Sequence, residues 1–317
     1  MSRPDFPKTI FEFQQRSPTE EAQLEFMIQS RWPDGFVCPR CGGKEYWWKT
    51  TRKLLQCKAC GYQASVTAGT VMHRSKMPLP LWFQAAYLVT TLTPGMSALQ
   101  FQHQVGLNNY ETAFMMLHKL RSAMVKQGRT KLNGIVEIDE TYVGGQRHGL
   151  TSGRGRGASG KTLVVGAVDL KGKYANRVRL QVIPNATTSS LLAFIQENVE
   201  AGATIKTDDW AGYNGLEKVG YGHTVTPDLP HIHRVFSNLK TWLRGTHHGV
   251  SSQHLQAYLN EYTFRFNRRK TPMAAFQTVL GLAGERMGPT YDGIYGVADK
   301  NGSWEHPRNP TGGSRGS

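Results

Sequence analysis

Residues 134–145, Gly134-Ile135-Val136-Glu137-Ile138-Asp139-Glu140-Thr141-Tyr142-Val143-Gly144-Gly145, put carboxylates into a segment that otherwise reads as a short buried strand. Ile135, Val136 and Ile138 supply the apolar positions, and the paired glycines stop the run. A carboxylate taken out of water is costly unless it is paired or holds a metal ion, so this strand restricts what can surround it. About 70 residues on, Ala203-Thr204-Ile205-Lys206-Thr207-Asp208-Asp209-Trp210 repeats the pattern, a short strand running into acids. Either aspartate alone is accounted for by a helix cap or a turn. As a pair of strand-borne carboxylates, Asp139 and Asp208 have the oxygen donors that a Mg²⁺-dependent phosphoryl-transfer site needs.

What lies between and after them sets the fold. Thr162–Val168 is apolar and β-branched, and Arg177-Val178-Arg179-Leu180-Gln181-Val182 alternates as a half-buried strand does. Thr187 or Thr188 then caps a helix with Leu191, Leu192, Ile195 and Val199 on one side. The order β-β-β-α-β describes a three-stranded meander, a crossover helix and a strand returning beside the first. That order is RNase H-like: an α/β fold with a mixed five-stranded sheet and helices, expected over residues 131–290. Gly144–Gly160 holds seven glycines; with Arg147, Arg154, Arg156 and the following Lys161 it reads as a basic loop joining two strands of a hairpin. Pro230–Arg244 reads as a helix closed by Gly245. His233 and Lys240, two turns apart within it, share a face. A further helix runs from Ser251 or Ser252 through Leu255, Tyr258, Leu259, Tyr262 and Phe266 to Arg268-Arg269-Lys270.

The cysteines constrain the N-terminal part. All four lie in Cys38-Pro39-Arg40-Cys41 and Cys57-Lys58-Ala59-Cys60, with fifteen residues between the pairs. Thiolates two residues apart on a tight turn reach one ion, and two such turns complete a tetrahedral structural Zn²⁺ site with no open position for catalysis. Tyr46–Thr50 and Arg52–Gln56 read as ribbon strands between the pairs, and Trp47 and Trp48 either stack on bases or, as aromatics in such a module more often do, complete the small core. A module of this size needs its ion to fold, so a zinc ribbon is expected over residues 31–76. A helical lead-in precedes it over residues 1–30, with Pro18 at a first helical position and Glu20 and Glu21 in the first turn.

Residues 77–130 read as helices: Leu81–Leu92, a break at Pro94-Gly95, Ser97–Phe101, a turn at Gly106–Asn109, then Tyr110–Lys126. Helix, glycine turn and helix fit either a helix-turn-helix or an ordinary hairpin. In the first case Asn109, Glu111, Thr112 and His118 are candidate DNA contacts. Residues 291–317 read as a disordered tail.

The net charge of +15 and a pI near 9.8 point to a polyanionic partner. The charge is clustered: Arg234–Lys270 carries seven Lys/Arg against the single acid Glu261. No run of 18 apolar residues predicts a membrane span, and no apolar leader follows Met1, so a cytoplasmic protein is expected.

Together these residues resemble the ISXO-type insertion-sequence transposases, which join a zinc ribbon, a helical segment and a DDE integrase-like domain. The resemblance covers residues 17–285. It rests on Arg31-Trp32-Pro33-Asp34-Gly35 before the first cysteine pair, on Val136–Gly145 around Asp139, and on Thr207-Asp208-Asp209-Trp210-Ala211-Gly212-Tyr213-Asn214. It rests also on Ser237-Asn238-Leu239-Lys240, Arg244–Ser251 and His254–Arg269. It implies a bacterial, nucleoid-associated enzyme that cuts and joins double-stranded DNA at transposon ends and target, as a homo-oligomer, with no membrane. Asp139 and Asp208 become the first two catalytic carboxylates, holding Mg²⁺ or Mn²⁺. The third, a helical glutamate seven residues before a lysine, is replaced here: the lysine is Lys240 and the acid's place is taken by His233. Imidazole suits softer ions than Mg²⁺. Asp209, Asp228 and Glu261 are acids that could substitute. Arg147, Arg154, Arg156, Lys161, Arg244, Arg265, Arg268 and Arg269 are assigned to DNA phosphates, and the ribbon and helical segment to the terminal repeats. The alternatives are a decayed transposase that only binds DNA, and an RNase H-type nuclease without strand transfer.

Overall fold

The structure, a computed structural model, describes residues 7–16, 19–125, 128–144, 161–285 and 287–295. Its largest sheet has the strand order β6-β5-β4-β7-β8. The strands β4 (Ile135–Val143), β5 (Thr162–Lys171) and β6 (Tyr174–Val182) form an antiparallel meander. Then α6 (Thr188–Asn198) crosses over, β7 (Thr204–Thr207) returns parallel to β4, and β8 (Gly222–Val225) pairs parallel to β7. This is the mixed five-stranded, RNase H-like arrangement that the residue pattern implies. Residues 145–160, with Arg147, Arg154 and Arg156, lie outside the described residues, but the β4–β5 pairing on either side of them is the expected hairpin.

Alternation along the central strands sends side chains to two cores. Val136, Ile138, Val165 and Ala167 pack with Leu191, Phe194 and Ile195 of α6. On the other face Val164, Val168, Val178 and Leu180 pack with α7 (Pro230–His247) and α8 (Ser252–Asn267) through Ile232, Phe236, Leu239, Leu255 and Leu259. The first of these two helices outruns its expected end: Gly245 lies inside it, and His248, at φ 54°, is its left-handed cap.

The N-terminal elements start with α1 (Ile10–Arg16) and α2 (Glu20–Arg31), the latter capped by the Thr19 hydroxyl, which accepts from Ala22 N at 3.3 Å. That cap starts the helix after residues 17–18, later than a proline at its first position would. The ribbon is a three-stranded antiparallel sheet, β1 (Tyr46–Lys49), β2 (Leu54–Cys57) and β3 (Gln63–Ser65). Trp47 and Trp48 do not enter its core; they are 51% and 38% exposed on the edge strand β1, while Leu55, Ala64 and Val66 fill the interior. Next come α3 (Leu79–Thr91), α4 (Ala98–Val105) and α5 (Tyr110–Ala123). Only the first two residues of α5, Tyr110 and Glu111, are exposed. Of the expected contacts, Asn109 caps α5 by accepting from Glu111 N, and His118 is buried. Only the first turn of α5 is therefore open to an outside partner.

A late helix, α9 (Pro272–Glu285), completes this helical core, with Phe276 packed edge-on against Phe13, Phe83 and Tyr87. Residues 291–295 of the expected tail are helical: α10 (Tyr291–Tyr295) lies on α5, with Tyr295 tilted against Phe114 at 5.6 Å, and residues 296–317 lie outside the described residues. No helix of the described residues is long and apolar enough to cross a membrane.

The helical core and the RNase H-like sheet meet at a polar joint. Arg121 of α5 donates to Glu261 of α8 at 2.7 Å, both fully buried. Arg265 donates to the carbonyls of Leu92 and Thr93, while Trp242 and Thr246 both donate to Pro94 O, at 3.0 and 2.6 Å. The Pro94-Gly95 turn is thus clamped, and Gly95 at φ 76° has no room for a Cβ beside Arg265 and Trp242.

The same joint buries His118 and partly buries His247. Burial pushes both below the ordinary imidazole range, helped by the Arg121 charge, His247 down to about 3. Because these pKa values are depressed on folding, the unfolded chain binds more protons below its own imidazole pKa of about 6.5. Stability is then full above about pH 6.5 and falls as the pH drops toward 3. We expect the melting temperature to fall from about pH 7.5 to about pH 5, and His247→Gln to flatten that slope. An unchanged slope in the variant would remove His247 from the effect.

Candidate active site

Strand alternation gives β4 two chemically different faces. Glu137, Asp139 and Thr141 face α7. The carboxylate of Glu137 is 2% exposed and accepts from the backbone N–H groups of His231 and Ile232 at 2.9 and 3.0 Å. It also contacts His231 Nδ1 at 2.6 Å. The first N–H groups of a helix have no partner within it, and Pro230 at the first position removes one of them outright. Glu137 therefore fastens the start of α7 to β4 two residues from Asp139.

Directly opposite Asp139 on β5 is Gly166. A Cβ there would sit 2.7 Å from Phe236 and 2.9 Å from Ile232, so the glycine lets α7 lie close on the sheet. In consequence His233 Nε2 comes to 3.1 Å from Asp139 Oδ2, and one helix face further along Lys240 Nζ donates to Thr141 Oγ1 at 2.6 Å. Asp139 Oδ1 accepts from Glu140 N at 2.8 Å. Burial raises the Asp139 pKa above the usual aspartate range; the Glu140 N–H and His233 oppose the rise and the Asp208 charge adds to it.

Asp208 follows β7. Parallel pairing of Glu137 with Lys206 brings Asp208, just past the end of β7, level with Asp139 in the middle of β4. Asp208 is exposed, and its Oδ1 accepts from Trp210 N at 3.2 Å. The other face of β4 adds a residue not singled out from the sequence. Glu140 accepts a hydrogen bond from the Tyr213 hydroxyl, and its pKa is pushed up to about 7, mainly by burial, with Asp139 and Asp208 adding their charges. The signal for it was the acid next to Asp139 on a strand with period two. Of the acids considered as substitutes, Glu261 is consumed by Arg121 at the joint, and Asp209 and Asp228 are exposed.

A cation between Asp139 and Asp208 would offset the charge that helps raise the Asp139 pKa. Mg²⁺ is commonly held by one or two carboxylates, substrate phosphates and water rather than by an all-protein cage. The donors at Asp139 and Asp208 fit that pattern, with His233 already turned to the same carboxylate.

The four cysteines form a separate, closed site. Their sulfurs all lie within 4.8 Å of one another, with Cys38–Cys60 at 3.7 Å and Cys41–Cys57 at 3.6 Å. Zinc–sulfur bonds of about 2.3 Å in a tetrahedron place sulfurs about 3.8 Å apart. The two turns are alike: Gly42 N donates to Cys38 O and Gly61 N to Cys57 O, at 2.9 and 3.0 Å, both glycines having positive φ. The residues fit a structural zinc.

Residues 131–267 match the ISXO2-like transposase domain, and residues 18–63 match the transposase zinc-ribbon domain. Together they span more than half of the chain. The chain belongs to the ISXO2-like transposases. No curated protein matches it significantly. Among solved structures it is similar to a chain of a simian T-cell lymphotropic virus intasome in complex with PP2A regulatory subunit B56 gamma. That match has 15% identity and a TM-score of 0.27, over 55% of this chain and 66% of the other. It is also similar to a chain of a pre-cleavage Mos1 transpososome, with 10% identity, TM-score 0.26 and coverage of 62% and 76%. A Mos1 paired-end complex with the left transposon end gives 13%, 0.26, 61% and 76%.

The basic residues of the transposase are not equally available. Lys161 and Arg244 are exposed. Arg265 is turned inward to the Leu92–Thr93 carbonyls. Arg268 lies 3.9 Å over Phe264, and Arg269 lies 4.1 Å over Phe266 while donating to Asn176 O at 3.0 Å. Gly166→Ala in the transposase is expected to lift α7, lengthen the His233–Asp139 contact and lower stability by about 1–3 kcal/mol, the usual result of overpacking. Denaturant melts check the stability, and cleavage assays should show activity falling with it. A variant as stable as the parent would mean that α7 does not need the glycine.

Proposed function

We propose that this transposase cuts DNA at the ends of an insertion sequence and joins the freed ends to target DNA. The observation that carries this is Asp139 within β4 and Asp208 just past the end of the parallel strand β7, level with each other by strand register, with α7 held against β4 by Glu137. In the first step water attacks the scissile phosphorus, the P–O3′ bond breaks, and a 3′-hydroxyl and a 5′-phosphate result. In the second, that 3′-hydroxyl attacks a target phosphate and displaces a target 3′-oxygen, which takes up a proton. Divalent ions at such a site supply charge neutralisation to the attacking and leaving oxygens. The chain itself contributes carboxylates in fixed positions and, through Lys240 and the neighbouring bases Lys161 and Arg244, positive charge for phosphates. Mg²⁺ or Mn²⁺ would serve, nucleoid DNA would be the working partner, and pairing two ends calls for at least a dimer.

One observation favours a second reading, in which the protein binds the repeats without cutting. The imidazole of His233 contacts a carboxylate oxygen of Asp139 that a cation would use. Cleavage of a linear DNA carrying the element's flanking repeats, with Mg²⁺ or Mn²⁺, decides between them. Cutting by the wild type, retained or lost in His233→Ala, supports catalysis and defines the role of the histidine. Binding without cutting, with cutting appearing in His233→Glu, identifies a decayed enzyme.

A further inference from the structure

On the α6 side of β4, the sheet face opposite Asp139, is a cavity of about 390 Å³ lined by Tyr142, Lys161, Leu163, Asn185, Thr187 and Trp210, the last of these lying two residues beyond Asp208. We propose that it takes one unstacked nucleobase from the DNA strand that reaches Asp139 and Asp208. This rests on the transposase reading and adds to it a place for a base that no part of the cleavage chemistry requires.

Both aromatic walls are set by the strands that carry the aspartates. Tyr142 lies three residues beyond Asp139 on β4 and shares the face of Glu140; it is 44% exposed. Trp210 follows Asp208 by two residues and its backbone N–H holds the Asp208 carboxylate. Half of Trp210 is exposed, at 50%, yet its ring is fixed: the indole Nε1 donates to Ala186 O at 2.9 Å. Gly212 is what allows this. A Cβ there would stand 2.6 Å from Trp210 Nε1 and 2.8 Å from both Cδ1 and Ala186 O. An indole that is solvent-facing and immobilised has a large apolar face ready for a ligand with no rotamer entropy left to lose.

The rest of the lining selects the occupant. Lys161 gives the rim a positive charge, which suits a phosphate-bearing strand more than an apolar peptide. The Asn185 carboxamide oxygen is engaged by the hydroxyls of Thr187 and Ser190 at 2.6 and 2.9 Å, which leaves its NH₂ group to donate to a base edge. Taking a base out of its stack is unfavourable, and aromatic faces offset that for any base, because every base has a π-face.

The test uses the full-length protein and a single-stranded oligonucleotide containing 5-iodouracil. Long-wavelength irradiation cross-links the halogenated base to an aromatic ring stacked on it, and peptide mass spectrometry locates the adduct. Adducts at Trp210 or Tyr142 are expected. Trp210→Ala is expected to weaken single-strand binding by about tenfold, and Trp210→Phe to restore most of it. Gly212→Val, which keeps the indole but dislodges it, should behave like Trp210→Ala, with melting curves run in parallel to confirm folding. Adducts confined to other aromatics such as Trp47 and Trp48, or wild-type affinity in folded Trp210→Ala, would overturn the proposal. If repeat-bearing duplex is still cut in that case, the cavity proposal alone falls. If the protein binds no DNA of any form, the transposase reading falls with it.

Discussion

Asp139→Asn is expected to abolish metal-dependent cleavage while raising thermal stability. The carboxylate lies in the middle of the central strand β4, its pKa is raised, and its largest perturbation is desolvation, with the Asp208 charge adding to it. An acid whose folded-state pKa lies above its unfolded value binds protons more readily when folded, so its ionised form weakens the fold at neutral pH. Asparagine keeps the shape and the bond from Glu140 N while removing the charge. Losing a donor that contacts the ion should exceed the roughly 10–100-fold loss typical of changes behind a metal ligand. Asp208→Asn should match it in activity, since in the proposed mechanism the two carboxylates would hold the same ions. Cleavage rates and melting temperatures measured on the same preparations give both readings. A variant that loses stability along with activity would place Asp139 in the structure of the sheet rather than at a site held ready for a cation.

Asp139 stood out in the sequence because strand periodicity leaves no ordinary use for a carboxylate at that place in β4. The meander, the crossover helix and the parallel return of β7 follow from strands whose apolar spacing fits an RNase H-like order. The cysteine turns were legible for a different reason, since two Cys-x-x-Cys pairs admit few arrangements. What the residues concealed was tertiary. Trp47 and Trp48 read as core because they are aromatic in a small module, but β1 is an edge strand, and the ribbon's interior, Leu55, Ala64 and Val66, is continuous with the helical core around Phe276. Glu140 escaped notice because its partner Tyr213 comes from a turn 73 residues away. Arg265 read as a phosphate contact because it sits in a basic run, yet its donors are spent on carbonyls 172 and 173 residues distant. Gly166 looked like one more strand residue; only the closeness of Phe236 and Ile232 shows why it must be glycine.

The largest stability effect should come from the joint between the two halves of the fold. Glu261 was a candidate for the missing third acid, but it is 0% exposed, 2.7 Å from Arg121 Nε, and the Arg121 guanidinium lies 4.1 Å over the Tyr258 ring. Burial by itself would lower the Arg121 pKa; the Glu261 carboxylate more than offsets this and holds it above its ordinary value. Glu261→Ala leaves a buried, unpaired guanidinium whose terminal Nη1 and Nη2 already lack partners among the described residues. Removing one partner of such a pair costs about 3–5 kcal/mol, whereas replacing both with apolar residues is often neutral or stabilising. We therefore expect Glu261→Ala to lower the denaturation midpoint sharply and Arg121→Met with Glu261→Leu to recover most of the loss. The double variant carries the more informative result. If it is stable and still cuts DNA, the ion pair is a replaceable means of joining α5 to α8. If it is stable and does not cut, the pair sets the angle at which the helical core meets the catalytic sheet, and the His233–Asp139 contact should be disturbed with it. A Glu261→Ala protein that is as stable as the parent would mean that the joint is held by the Pro94-Gly95 clamp alone.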